Sequence, residues 1–319
     1  MESVLHLRSL DTINSAVYFA RELEFVKAEL YNIIYPEYKA ISFFPVSTSA
    51  GPGADTILYM QFDRTGIMKI IGSYADDLPR ADVKGKEFSQ VVRSLGGSYG
   101  WNIQEVRSGM LANRPLPAMK AEAGMQAYNE AVNEIGWFGD ADTGLLGFLN
   151  QPNVPAGPVQ VGATTGNTVW IGGSPKNNDE KLQDMNDIII DTMVLTLGKE
   201  IPDTVLLPTE EYGHIRSKKL ADGTDTVILQ FFLNNHPGIT VDWANELADV
   251  ANPPSGAGGP LNVMAAYRRD PRKLTFELPQ LFETFPVQES GLEFVVPTHA
   301  RIGGVIVYYP LSIRFVEGI

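Results

Sequence analysis

Apolar positions along this chain recur at two different spacings, and the switches between them predict its elements. Near the start, Ile13, Ala16, Val17, Ala20, Leu23 and Leu30 fall at helical intervals, with Asp11 or Thr12 placed to cap the first turn. Pro36 stops that helix, because a helix interior cannot accommodate a residue that lacks an N–H. The stretch Ser47-Thr48-Ser49-Ala50-Gly51-Pro52-Gly53 then offers breakers and nothing to pack. Beyond it, Thr56 to Phe62 and Met68 to Ser73 are rich in strand formers, and Asp63-Arg64-Thr65-Gly66 supplies turn chemistry between them. The pattern predicts a long hairpin whose return leg runs on through Leu78-Pro79-Arg80-Ala81-Asp82-Val83, followed by a strand over Tyr99 to Val106. Ile57, Leu58, Tyr59, Met60 and Phe62 would give that hairpin apolar groups on both faces.

The period changes again at Pro115 and Pro117, residues suited to a first helical turn. Met119, Ala123, Ala127, Ala131 and Ile135 follow at intervals of four, widened by Tyr128 and Val132. A helix over 115–137, roughly 35 Å long at about 1.5 Å per residue, is the longest the sequence predicts, with its alanine stripe buried in the core. Gly136 and Gly139 are expected to end it. Residues 151–178 read as loops and short strands. A second helix is expected over 179–197 on Leu182, Met185, Ile189 and Met193. Thr204 to Leu207 reads as a buried strand leading into a short helix over Thr209 to Ser217, and Val227 to Leu233 fits either helix or strand. Asn252-Pro253-Pro254-Ser255-Gly256-Ala257-Gly258-Gly259-Pro260 is a loop or tip. The last sixty or so residues are strand-rich, with alternation over Lys273 to Leu278 and Leu292 to Val296. The fold class is therefore α+β.

Composition narrows the functions available. The 319 residues allow one large domain or two of medium size, and 44% hydrophobic content is ample for a core. There is no cysteine, which removes disulfides, thiolate metal sites and cysteine nucleophiles at once and fits a reducing compartment. The first residues, Met1-Glu2-Ser3-Val4-Leu5-His6-Leu7-Arg8, show no basic leader before a long apolar run, so no secretory signal is expected. No stretch reaches the roughly 20 apolar residues of a membrane span. Acidic residues outnumber basic ones 38 to 25, for a net charge of −13. A reader of nucleic-acid sequence needs a basic face, so at most non-specific contact with DNA is expected.

No catalytic, cofactor-binding or metal-binding residue is assigned. Gly96-Gly97-Ser98-Tyr99-Gly100 matches the G-x-S-x-G of a nucleophile elbow, yet Trp101 to Val106 alternates like a strand where a helix should begin. His6, His214, His236 and His299 form no close ligand set. Asp140 and Asp142 are spaced like the start of a calcium loop, without the remaining ligands. Gly162 and Gly166 are followed by Asn167 instead of the Lys of a phosphate loop.

The order of these elements, an arm, a long hairpin, a long helix, a mixed region and closing strands, resembles the capsid fold first described for phage Hong Kong 97. Three segments carry the likeness. Gly139 to Asn150 resembles the glycine-rich turn that follows the spine helix of those proteins. Thr204-Val205-Leu206-Leu207-Pro208-Thr209-Glu210-Glu211-Tyr212 is similar to the strand-to-helix step of their axial domain. Phe276 to Phe282, Gly291 to Phe294, Ala300 to Val305 and Tyr309-Pro310-Leu311 resemble the C-terminal stretch of one family of phage major capsid proteins. The resemblance implies an N-terminal arm over 1–49, an extended hairpin loop over 50–83 lying across a neighbouring subunit, a peripheral domain over 84–150 and 265–319 built on the spine helix, and an axial domain over 151–264. It implies a non-enzymatic shell subunit that assembles with itself into pentamers and hexamers around phage DNA in the virion, built in the host cytoplasm, with scaffold, portal and possible cement proteins as partners. Only about 114 residues precede the spine helix, which leaves no room for a scaffolding segment beside the arm and hairpin, so a separate scaffold is expected. An encapsulin-type nanocompartment shell and a soluble oligomeric enzyme are the alternatives. Particle contents would separate the first from a phage shell, and particle size the second.

Overall fold

The alanine-striped segment forms the longest helix of the structure, and two apolar cores lie on either side of one sheet that begins beyond it. The structure is a computed structural model that describes residues 36–68, 80–111, 116–221 and 223–319; the amphipathic helix expected within 1–35, the strand expected over Met68 to Ser73 beyond its first residue, and Pro115 lie outside them. The described elements all belong to the unit Tyr38–Ile319. They run α1 (Ala40–Phe43), β1 (Val46–Ser47), β2 (Thr56–Thr65), β3 (Asp82–Val91), β4 (Arg93–Asn102), α2 (Ile103–Leu111) and α3 (Leu116–Phe138). The middle adds β5 (Ala156–Pro158), α4 (Asn178–Leu195), β6 (Thr204–Leu207), α5 (Thr209–Ser217), α6 (Ile228–Asn235) and β7 (Thr240–Trp243). The chain closes with β8 (Val263–Tyr267), β9 (Leu274–Glu277), β10 (Gln280–Thr284), β11 (Gln288–Ser290), β12 (Glu293–Ile302), β13 (Gly304–Val307) and β14 (Ile313–Glu317).

Five strands in the order β5-β14-β8-β6-β7 form the sheet that separates the two cores. Alternation sorts its side chains. Val263, Ala265 and Tyr267 of β8, Leu206 of β6 and Phe315 of β14 enter a core with Phe44, Trp137, Phe148 and Phe276. Met264 and Ala266, with Val205 and Leu207, enter a second core with Trp170, Met185, Ile188, Ile215 and Phe232. A strand covered on both faces needs apolar groups at every position, which is why these segments read as continuous runs. The first core is aromatic at its centre. Phe44 lies 4.8 Å from Phe148 and 5.1 Å from Trp137, the latter edge-on. Within the span expected to form the arm, Ala40 and Phe43 are buried and β1 pairs parallel to β9, so this part is knitted into the body.

Several expectations need correction. The long helix buries Val132, Asn133, Gly136 and Trp137, all near its C-terminal end. Ala123 and Ala127, expected in the core, are exposed. Gly136 does not end the helix; it lies inside it, where a Cβ would sit 2.9 Å from Ala40 Cβ and 3.2 Å from the Phe276 ring. It is glycine because two elements touch there. Gly139, at φ +70°, does follow the helix, and its backbone presses on Gly147 so closely that neither position has room for a side chain. The strand expected over Tyr99 to Val106 stops at Asn102, and α2 takes over. Asn102 Oδ1 accepts from Glu105 N at 2.7 Å, and Glu105 Oε2 accepts from Asn102 N at 3.2 Å. That reciprocal capping box, N-x-x-E, outweighs the alternation of the residues around it. The ambiguous segment at 227–233 is helical, as α6.

Candidate assembly surface

β2 and β3 pair antiparallel over ten residues each, from Thr56 opposite Val91 to Thr65 opposite Asp82. The strand paired with β2 is 82–91, so the return leg runs on past the Val83 where it was expected to end, and Asp63 to Thr65 belong to β2 instead of a turn. β3 carries Lys84, Gly85, Lys86 and Glu87, a weak strand former on its own. It is a strand because β2 pairs with it.

The two faces of this hairpin differ. On one, Ile57, Tyr59 and Gln61 are half-buried. Tyr59 stacks on Phe88 at 5.3 Å and meets the edge of Tyr308 at 5.0 Å, and Gln61 Nε2 donates to the Tyr308 carbonyl. Burial, followed by the nearby Tyr308 phenol, pushes the Tyr59 hydroxyl above its ordinary pKa. At the base, Arg301 Nη1 donates to the Pro52 carbonyl at 2.6 Å and Nη2 to Asp55 Oδ1 at 2.5 Å. Val92 N donates to Asp55 O at 2.9 Å, so the two strands leave the body side by side.

The other face has no cover among the described residues. Leu58, Met60 and Phe62 are 61, 63 and 65% exposed, and Val83 beyond them is 58% exposed. Side chains of this size contribute about 1.5–3 kcal/mol each when buried, and a paired strand with an apolar face in water invites association. The expectation of apolar groups on both faces holds, with the refinement that one face is partly used by the subunit itself.

The exposed part of the long helix forms a second feature. Between it and β4 and β12 lies a cavity of about 190 Å³, lined among others by Gly97, Gly124, Ala127, Phe282 and Thr298. The Tyr128 hydroxyl beside it is buried, and that burial pushes it above its ordinary pKa. Small residues spaced at four along this helix leave room instead of filling it.

The motifs weighed for chemistry resolve into structure. Gly96 to Gly100 lies wholly inside β4, paired with β12, and Ser98 stands opposite Pro297 in mid-strand, far from the strand-to-helix turn an elbow requires. Asp140 accepts from Asp142 N at 3.0 Å and from Thr143 Oγ1 at 2.7 Å, so it holds its own turn. The loop from Gly162 to Gly166 is filled from within by Glu180, whose carboxylate accepts from Thr164 N, Thr165 N, Thr165 Oγ1 and Asn177 N. Burial works to raise this carboxyl, but those bonds hold it at about 2. Among the described histidines, His214 lies against Lys181, His236 bonds Asn186 at 2.8 Å, and His299 sits in β12 opposite Gly96. Among the described residues no group of three or more His, Asp or Glu could hold a metal ion, and no helix is long and apolar enough to cross a membrane. Sequence reasoning missed Tyr308, Gln61 and Arg301 as the hairpin's anchors, since nothing in their local pattern marks a contact more than two hundred residues away.

Comparison with solved structures places the fold. The capsid of Myoviridae phage XM1 superposes with a TM-score of 0.80 at 22% identity, over 94% of this chain and 98% of that one. The capsid of an empty GTA particle gives 0.59 at 13% identity, covering 95% and 97%, and a Mycobacterium phage Ogopogo chain 0.56 at 10%, covering 94% and 98%. Identities this low establish the fold alone, and that fold is the phage capsid fold the element order resembles. A comparison with curated proteins gives no match. The family model for the major capsid protein matches residues 66–319. Neither the nanocompartment nor the enzyme alternative is favoured by these findings. With a family match over most of its length and the architecture to go with it, the chain belongs to the major capsid protein family: it is a structural, shell-forming subunit of a virion capsid.

Proposed function

We propose that this subunit forms pentamers and hexamers that close into an icosahedral shell around a phage DNA genome, with the hairpin laid across the adjacent copy. The observation that carries this reading is the uncovered Leu58, Met60 and Phe62 face on a hairpin whose opposite face is anchored to its own subunit. An isolated two-stranded hairpin is marginal in water, so a second surface is needed to hold it. The name of the XM1 structure, a phage capsid, supports the same assignment.

In this reading residues 1–49 are the arm, 50–83 the extended loop, 84–150 and 265–319 the peripheral domain, whose first residues complete β3, and 151–264 the axial domain, which borrows β14 for its sheet. Assembly takes place in the host cytoplasm on a separate scaffold, with a portal at one vertex and room for a cement protein outside. The charge of −13 keeps contact with packaged DNA non-specific. Negative-stain microscopy of the chain co-expressed with its scaffold tests the proposal. Closed particles of uniform size are expected, and only small discrete oligomers would contradict it.

A further inference from the structure

Between the hairpin and the body of its own subunit lies an open cleft of about 960 Å³. Lys84 and Lys86 line it from β3, Arg272 from the β8–β9 turn, and Tyr309 and Leu311 from the loop after β13. All five are exposed. Asp63 is the one acid among the described residues that line it, and among the described residues no carboxylate forms an ion pair with the three bases. In a chain of net charge −13, this apolar-walled basic recess is a local exception.

Its complement lies on the same chain. Residues 283–293, which run from β10 through β11 to the start of β12, are exposed without a break and form a ridge. Phe285, Val287 and Leu292 give it large apolar groups, Leu292 at 71% exposure, and Glu289 and Glu293 are the only charges from 285 to 293. One subunit cannot seat this ridge in its own cleft. β11 pairs with the first residues of β12, Glu293 to Val295, whereas the hairpin is rooted near the other end, on Arg301. From there its contacts step further away, with Ile57 against Gly303 and Tyr59 against Tyr308. The length of β12 alone separates ridge and hairpin root by roughly 25 Å, at about 3.3 Å per residue.

We propose that the ridge over Phe285–Glu293 of one copy seats in the hairpin cleft of the next, its apolar groups against Tyr309 and Leu311 and its two carboxylates against Lys86 and Arg272. The proposal rests on the shell reading above and names a pair of surfaces through which its copies meet. A patch and its complement at opposite ends of one subunit make a head-to-tail contact, and such contacts close into rings when the rotation allows. A match that is both apolar and charged fixes the register as well as the partner. Phosphate of packaged DNA would answer the bases but not the apolar walls.

Charge exchange in the full chain tests it. Lys86→Glu with Arg272→Glu, or Glu289→Lys with Glu293→Lys, should each lower particle yield at least about tenfold by placing like charges in contact. Circular dichroism of the subunits should stay unchanged, because all four positions are exposed. The four changes together should bring the yield back to within about threefold of the unaltered chain. Absence of that rescue, or normal yield from either pair alone, would overturn the proposal. The lack of native cysteine permits a second measurement that does not depend on yield. Leu292→Cys with Leu311→Cys, oxidised in particles by diamide, which takes up the two thiol hydrogens, should give ladders of linked subunits on non-reducing gels. Monomers or dimers alone from this double variant would overturn the proposal. So would a defect of the Lys86 and Arg272 pair confined to DNA-filled particles, which would assign the cleft to phosphate. Failure of the shell reading looks different: the unaltered chain would form no particles at all.

Discussion

Two apolar strands of this protein, β2 and β8, have opposite fates. β8 is buried at all five positions, with its side chains divided between two cores of the same subunit. β2 leaves Leu58, Met60 and Phe62 in water while Ile57, Tyr59 and Gln61 lean on the body. Hydrophobicity alone does not separate them. What differs is where the covering surface comes from: for β8 it is the rest of the chain, and for half of β2, in the reading proposed above, it is a second copy. In a shell protein the second kind of strand is where folding ends and assembly begins.

Removing the hairpin should split these roles most sharply. Replacing Thr56 to Val91 with a short Gly-Ser linker is geometrically mild, because Asp55 and Val92 are already hydrogen-bonded at 2.9 Å. The subunit should stay folded by circular dichroism, with particles absent by electron microscopy. Normal shells from this variant would refute the strap, and a variant that cannot fold would place the hairpin in the subunit's own core.

Point changes sharpen the same contrast. Phe276→Ala, in the first core and fully buried, should cost about 3–5 kcal/mol of subunit stability, read from denaturant unfolding. Leu58→Ser with Phe62→Ser should alter the subunit by no more than about 0.5 kcal/mol. The pair should nevertheless reduce particle yield severely on gradients. Equal losses in the two experiments would mean that the exposed face is covered within the subunit after all.

A smaller effect is expected from acid. The Glu180 carboxyl is held at about 2 in the folded chain against 4.5 ordinarily. Its contribution is therefore complete above about pH 4.5 and fades as pH falls toward 2. Glu180→Gln should lower the melting temperature at pH 7 and flatten its fall between those pH values. A profile parallel to that of the unaltered chain would count against the role given to this carboxylate. The smallest effect concerns reductant and chelator. With no cysteine in the chain, reductant should leave the melting temperature of the particles where it was. Chelator should do the same, and a drop of many degrees would reveal an ion site.

Much of this architecture is legible locally. The strand over Thr204–Leu207 and the helix over Thr209–Ser217 fall where the apolar run and the Pro208 break place them, and the long helix runs 116–138 against an expected 115–137. These elements are fixed by residues within a few positions of one another. The return strand of the hairpin was not legible, because Lys84 to Glu87 carry no strand signal until β2 lies beside them. The switch at Asn102 could have been found, since Asn102 and Glu105 spell a helix start that alternation obscured.

By itself, then, the sequence determined the α+β class, most helix and strand positions, the absence of cysteine chemistry and the order of elements that resembles a phage capsid. Only the tertiary structure decided that Ala123 and Ala127 face outward, that Gly136 marks a contact with Ala40 and Phe276, and that one face of β2 stays uncovered. It alone set Lys181 Nζ 3.5 Å from His214 Nε2, across two helices the sequence leaves unrelated. The reason is physical. Periodicity and caps act over a few residues and are written in the local sequence, whereas burial is a property of a pair of surfaces, and the second surface is hundreds of residues away or on another copy.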